Sequence, residues 1–275
     1  MPRPFPDAYT FNHARAEDGA VTFSCSTNSD IWPWLTLPPT HPIFIQTINF
    51  WASFDSAVFL DEFRADAWTA LTGLKWTCGP AEAGRPASGR YLSEKDQDRA
   101  RYALTLWDAA GTIVADYTGE GVTFRTRNFE GWRGKAKAKL EKADRAAFDY
   151  APAASVGVAT QKESFLSPLQ QISGTEVSTG LITKENGLRP AHPYIGGSGD
   201  HVNSTHMGEI ARQFGALLLE RPTRNLGGEM VLKHYVELGV PFDVKLLARY
   251  DEGQSYSLLV RQAGRDCAQI DWTYA

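Results

Sequence analysis

The sequence predicts an α+β fold in which a helix followed by antiparallel strands occurs twice. Two observations lead there. The stretches "HPIFIQTINFWASFDSAVFLDEF" (41–63) and "HPYIGGSGDHVNSTHMGEIARQF" (192–214) both begin His-Pro, end in Phe and align without a gap. Later, "RYALTLWDAAGTIVADYTGEGVTF" (101–124) and "QSYSLLVRQAGRDCAQIDWTYA" (254–275) each read as strand, short Ala/Gly turn and strand, which is a hairpin signature. The copies are offset by 151 residues at the His-Pro pairs and by about 153–154 at the hairpins, so the order of elements repeats.

Taken in order, each half reads as an extended lead-in, a loop, a buried helix and several strands. The first helix is expected through "SAVFLDEFRADAWTALTG", ending at Gly73. The small, polar stretch 150–165 reads as a linker, which predicts units at 1–150 and 151–275. The second helix is expected to start near Asn203 or Ser204, both good N-cap residues, and to stop before Pro222. Ile210, Phe214, Leu217 and Leu218 recur at helical spacing along it.

Composition bounds the function. With 275 residues, 43% of them hydrophobic, the chain can bury a core without staples. A net charge of -4 gives no reason to expect nucleic acid as a partner. No apolar run is long enough to span a membrane, and the N-terminal residues lack a signal-peptide core. The three cysteines, Cys25, Cys78 and Cys267, form no C-x-x-C pair, which fits a reducing compartment and a cytoplasmic location. One basic run, "GWRGKAKAKLEKADR" (131–145), reads as a solvated segment or as a contact for a phosphate-bearing carrier.

The segment "DHVNSTHMGEIARQ" carries the most specific resemblance. Asp200, His201, Val202, Glu209, Ala211, Arg212 and Gln213 resemble the Asp-His-Val and Glu-x-Ala-Arg-Gln of the A-factor biosynthesis hotdog family. Asn203, Ser204 and Thr205 depart from the turn usual there. The Glu-x-x-x-Gln spacing also resembles hotdog β-hydroxyacyl-carrier-protein dehydratases. Ser198, Gly199, Asp200, Asn203 and His206 resemble the motif of (R)-specific enoyl-CoA hydratases, one residue longer, and "HVNS" resembles the His-Val-Asn-Asn of hotdog thioesterases. With the repeat, the resemblance implies a double hotdog: two long central helices, each wrapped by a curved antiparallel sheet. It further implies an enzyme acting on acyl-CoA or acyl carrier protein, with no cofactor beyond the coenzyme A or phosphopantetheine of the substrate.

Residue chemistry runs beside this. Dehydrating a β-hydroxyacyl thioester needs a base for the α-proton and an acid for the departing hydroxyl. Histidine can serve as either near neutral pH, and a buried carboxyl can donate a proton. His206 with Asp200 is the local candidate pair, and His192 with Asp55 is the pair drawn from opposite halves. The glycine-rich turn holding Gly197 and Gly199 would offer backbone N–H groups to the thioester oxygen. Asn203, His201, Trp51 and Phe54 are expected to contact substrate, the aromatics because the first half carries the motif in apolar form. A single active site, built mainly from the second half, follows.

The leading expectation is an acyl-thioester hydratase or dehydratase. The alternative is a thioesterase or A-factor-type acyltransferase with Glu209 as general base or nucleophile. A third is a hotdog that binds acyl groups without turnover, and a homodimer is compatible with any of them. Blander roles stand beside these: Asp200 as a helix cap, His206 and Glu209 as an i,i+3 surface pair, Arg212 as a solvent or inter-unit contact. A metal is not expected, because His201 and His206 are spaced i,i+5 rather than i,i+4.

Overall fold

A computed structural model describes residues 7–63, 67–96, 99–124, 131, 134–135, 137–138, 140, 142–186, 199–250 and 254–275. Contacts divide the chain into two compact units, Met1–Phe129 and Glu130–Ala275.

In the first unit, β1 (Thr10–Arg15) and β2 (Val21–Cys25) precede helix α1 (Pro42–Phe59). Then come β3 (Trp68–Cys78), β4 (Pro86–Asp96), β5 (Arg99–Asp108) and β6 (Ile113–Phe124). These strands form an antiparallel sheet in the order β1-β2-β4-β5-β6-β3. The second unit opens with β7 (Gln170–Ile172), β8 (Thr175–Gly180) and the two-residue β9 (His201–Val202). Helix α2 (Ser204–Leu219) follows, then β10 (Asn225–Leu232), β11 (Val236–Glu237), β12 (Phe242–Tyr250), β13 (Ser255–Gln262) and β14 (Arg265–Tyr274). Its sheet runs β7-β8-β12-β13-β14-β10, again antiparallel, and β9 pairs with β11 outside it. With β9 and β11 set aside, the two strand orders are the same topology written twice.

The predicted hairpins are β5–β6 and β13–β14. The second hairpin turns at Ala263 and Gly264, both with positive φ, as a tight two-residue connection requires. Helix α2 starts and stops close to the sequence reading. Asn203 accepts the Thr205 and His206 N–H groups, and Glu220 ends the helix in the left-handed region at φ 53°.

The first helix differs from expectation. It starts directly after His41, whose Nδ1 accepts the Ile43 N–H at 3.2 Å, with Pro42 at the first helical position. It ends at Phe59, followed by Asp61 at φ 58°. The stretch expected to prolong it is strand β3, where buried Leu74, Trp76 and Cys78 alternate with exposed Lys75 and Thr77. That is a period of two, not 3.6. The gapless alignment therefore fails at the helices: Pro42 and Ser204 both open a helix, 162 residues apart, and His41 occupies the place of Asn203 rather than of His192.

The stretch 150–165, read from the sequence as a linker, mixes exposed residues with buried ones that join the second unit. Ala151, Val156, Ser164 and Phe165 are buried, and the Phe165 N–H donates to Gln213 Oε1 on α2 at 2.9 Å. The core of the second unit gathers Phe165, Ile210, Phe214, Val244, Leu258, Ile270 and Trp272, all without exposure. Tyr256 adds a polar tie, its hydroxyl donating to the Ala211 carbonyl at 2.8 Å.

Candidate active site

The polar residues of the second unit collect where β9 enters α2. Gly199 has φ 68°, a left-handed turn that glycine adopts without steric cost, and it delivers the chain to Asp200 and β9. On β9, His201 faces Glu237 of β11 in the ladder, and the His201 ring meets the edge of Tyr235 with centroids 4.8 Å apart. Asp200 Oδ1 lies 2.7 Å from His201 Nδ1. Lys137 donates to Asp200 Oδ2 at 3.3 Å and to the Asp200 carbonyl at 3.2 Å, and its ammonium also lies 3.3 Å from Glu237 Oε2. The His201 and Asp200 side chains keep 22% and 36% of their surface exposed.

His206 is placed differently. It is fully buried, and its ring packs 5.8 Å from that of Phe165. Its Nδ1 lies 2.9 Å from Asn203 Oδ1 and 3.3 Å from Asn203 N, so this nitrogen belongs to a reciprocal capping box at the start of α2. Glu209, also without exposure, takes Arg212 in a two-pronged pair, Nε to Oε2 at 2.8 Å and Nη2 to Oε1 at 2.5 Å. Gln213 Nε2 adds a third bond to Oε1 at 2.8 Å and reaches the Glu163 carbonyl at the same distance. Burial opposes the charge on Arg212, but the adjacent Glu209 carboxylate outweighs it and holds the guanidinium above its ordinary pKa. Arg212 is thus an internal partner of Glu209, not a solvent contact.

Other sequence candidates fall elsewhere. His192 and Gly197 lie outside the described residues. Asp55 sits on α1 with 2% exposure, where its Oδ2 accepts the Thr10 N–H at 2.7 Å and the Thr10 hydroxyl at 3.1 Å. The same hydroxyl lies 2.9 Å from His13 Nε2, so His13, which looks unremarkable in sequence, joins a polar chain with a buried acid. Trp51 is fully buried among Trp32, Phe50 and Phe54, at centroid distances of 4.8, 5.2 and 6.1 Å.

Sequence reasoning missed Lys137, Tyr235 and Glu237. Lys137 carries a weak signal, since it belongs to the basic run 131–145, but nothing in the order of residues ties it to Asp200. Among the described residues, no group of three or more His, Cys, Asp or Glu side chains could hold a metal ion. No described helix is long and apolar enough to cross a membrane.

No protein-family model and no curated protein sequence matches this chain. Solved structures match it along nearly its whole length. A structure assigned as an oleoyl thioesterase from Lactobacillus plantarum superposes with a TM-score of 0.54 at 12% identity, covering 85% of this chain and 88% of the other. An acyl-ACP thioesterase from Bacteroides thetaiotaomicron gives 0.53 at 13% identity, covering 94% and 97%. The CurK dehydratase, in an inactive mutant form, gives 0.50 at 8% identity, covering 98% and 95%. At such identities the likeness establishes the fold: the chain is a double hotdog, α+β, in which, among the described residues, each unit combines a long helix with a six-stranded antiparallel arrangement.

Proposed function

We propose that the protein is an acyl-thioester hydrolase in which His201, aligned by Asp200, activates water. The observation that carries this reading is the 2.7 Å contact between His201 Nδ1 and Asp200 Oδ1, with both side chains partly open to solvent. A carboxylate on Nδ1 fixes the tautomer that presents Nε2 to a reacting group and stabilises the imidazolium once the proton is taken. Lys137 donates to Asp200 Oδ2 and so helps to hold the carboxyl in place beside the imidazole. The activated water adds to the thioester carbonyl, and collapse of the adduct expels the thiolate, leaving a carboxylic acid and a thiol. Acyl-CoA and acyl carrier protein are the substrate classes, which agrees with the acyl-ACP thioesterase among the similar folds.

Hydration or dehydration of an acyl thioester is the second reading, favoured by the fold shared with the CurK dehydratase. There the same Asp200–His201 pair would move the α-proton. His206 and Glu209 contribute less directly in either case. One ring nitrogen of His206 closes the helix cap, and both Glu209 carboxyl oxygens are engaged by Arg212 and Gln213. Both residues therefore act as positioning residues for β9 and α2.

Thiol release from a panel of acyl-CoA esters tests the assignment. The expected result is turnover that falls about 10²–10⁴-fold in His201→Ala. Turnover unchanged in that variant, or enoyl thioester formed without thiol, would overturn hydrolysis by His201.

A further inference from the structure

The strand that carries His201 belongs to a two-residue ribbon outside the main sheet, so more than a long ladder must hold it. On β11 part of that task falls to Gln262, a buried residue of β13. Its Oε1 accepts the Glu237 N–H at 2.7 Å, and its Nε2 donates to the Glu237 carbonyl at 3.1 Å and to the Val240 carbonyl at 2.9 Å. One side-chain amide pairs both backbone groups of Glu237, as a neighbouring strand would. Glu237 stands opposite His201 in the ladder, so the two side chains leave the ribbon on the same side. The Glu237 side chain keeps 10% of its surface exposed, and a carboxylate so far from water calls for a cation. Lys137 answers it at 3.3 Å, and the same ammonium donates to the Asp200 carbonyl and Oδ2.

We infer that Glu237 is a positioning residue that sets the tautomer of His201 through Lys137 and Asp200, an inference that rests on His201 as the base proposed above. A lysine ammonium sits on a flexible stem and carries three rotatable donors. Bonded to Asp200 alone, it would follow that carboxylate wherever it swings. Paired also with Glu237, whose backbone Gln262 fixes, it becomes a fixed post. Asp200 is then held at its carbonyl and Oδ2, which leaves Oδ1 aimed at His201 Nδ1, 2.7 Å away. That contact keeps the ring proton on Nδ1 and presents Nε2 as the acceptor. Without the Glu237 charge, the ammonium draws closer to Asp200 and competes with the imidazole for one carboxylate. The ring proton then divides between the two nitrogens.

The test reads the tautomer directly. Nitrogen-15 NMR of the His201 ring, assigned by its loss in His201→Ala, is recorded on the full chain in alkaline solution, where imidazoles are neutral. The wild type should carry the proton on Nδ1. The Nε2–H form should gain population in Glu237→Gln, which keeps the side-chain shape and the backbone clamp, and in Lys137→Met. In both, kcat for thiol release from acyl-CoA should fall about 10–10²-fold with KM little changed. Lys137→Arg should recover part of that loss. The double variant Glu237→Gln, Lys137→Met should lose no more than Lys137→Met alone, because the two residues act in one chain. An unchanged tautomer in both single variants, or losses that multiply in the double variant, would overturn the inference. A shifted tautomer with undiminished thiol release would uphold the positioning chain and remove His201 from the reaction instead.

Discussion

The two helices occupy equivalent places in two copies of one topology, and they treat their acidic residues in opposite ways. In the first unit the acid lies within the helix: Asp55 is 2% exposed and ties α1 to β1 through Thr10. In the second unit the internal acid, Glu209, stands nearer the start of its helix and is neutralised by Arg212, while a second acid stands ahead of the helix. That residue, Asp200, meets His201 on a two-residue strand, where both side chains remain partly exposed. A carboxylate inside the helix is locked by burial, whereas one just before it can face a substrate. Position relative to the helix start separates the proposed reactive pair from the structural one.

This comparison can be broken by substitution. The largest effect is expected at the exposed pair. His201→Ala should lower kcat/KM for thiol release by about 10²–10⁴-fold while leaving the unfolding midpoint in urea nearly unchanged. Loss of folding together with activity would instead make His201 structural, like Asp55. Next comes the internal pair. Arg212→Met strands Glu209 as a buried, unpaired charge, at a cost of about 3–5 kcal/mol in denaturant unfolding. The double variant Glu209→Met, Arg212→Met should recover most of that loss, because the desolvation of both charges disappears together.

Asp55→Ala removes the acceptor of a buried backbone N–H and a hydroxyl, so about 1.5–3 kcal/mol of stability should go. Thiol release per folded molecule should not change. A drop in turnover beyond the folded fraction would give the first unit a chemical role. The smallest effect is expected at the cap: Asn203→Ala should cost about 0.5–2 kcal/mol, read by thermal or urea unfolding.

Local order in the sequence was enough to place the β5–β6 and β13–β14 hairpins, the bounds of α2 and a cap at Asn203 or Ser204, because turns, strand alternation and caps are settled by residues a few positions apart. It also singled out 192–214 as the segment carrying the candidate chemistry, and suggested that the chain repeats itself. The first helix was misread where apolar residues run through α1 and on into β3. Helical and strand periods overlap there, and only pairing of β3 with β6 makes Trp68–Cys78 extended.

The roles of individual polar residues were the least legible. Arg212 and Glu209 are three apart on one helix, a spacing equally at home on a solvated surface; burial alone makes their pair internal. Asp55 finds Thr10 across 45 residues, and Lys137 finds Asp200 across 63. Contacts at such separations arise when strands and loops are brought side by side, and no local pattern encodes them. The sequence by itself therefore determined the second helix, the two hairpins and the repeat of the element order. The tertiary structure decided which histidine stands beside an accessible carboxylate and which is sealed into a helix cap, because burial and long-range hydrogen bonding exist only once the chain has closed on itself.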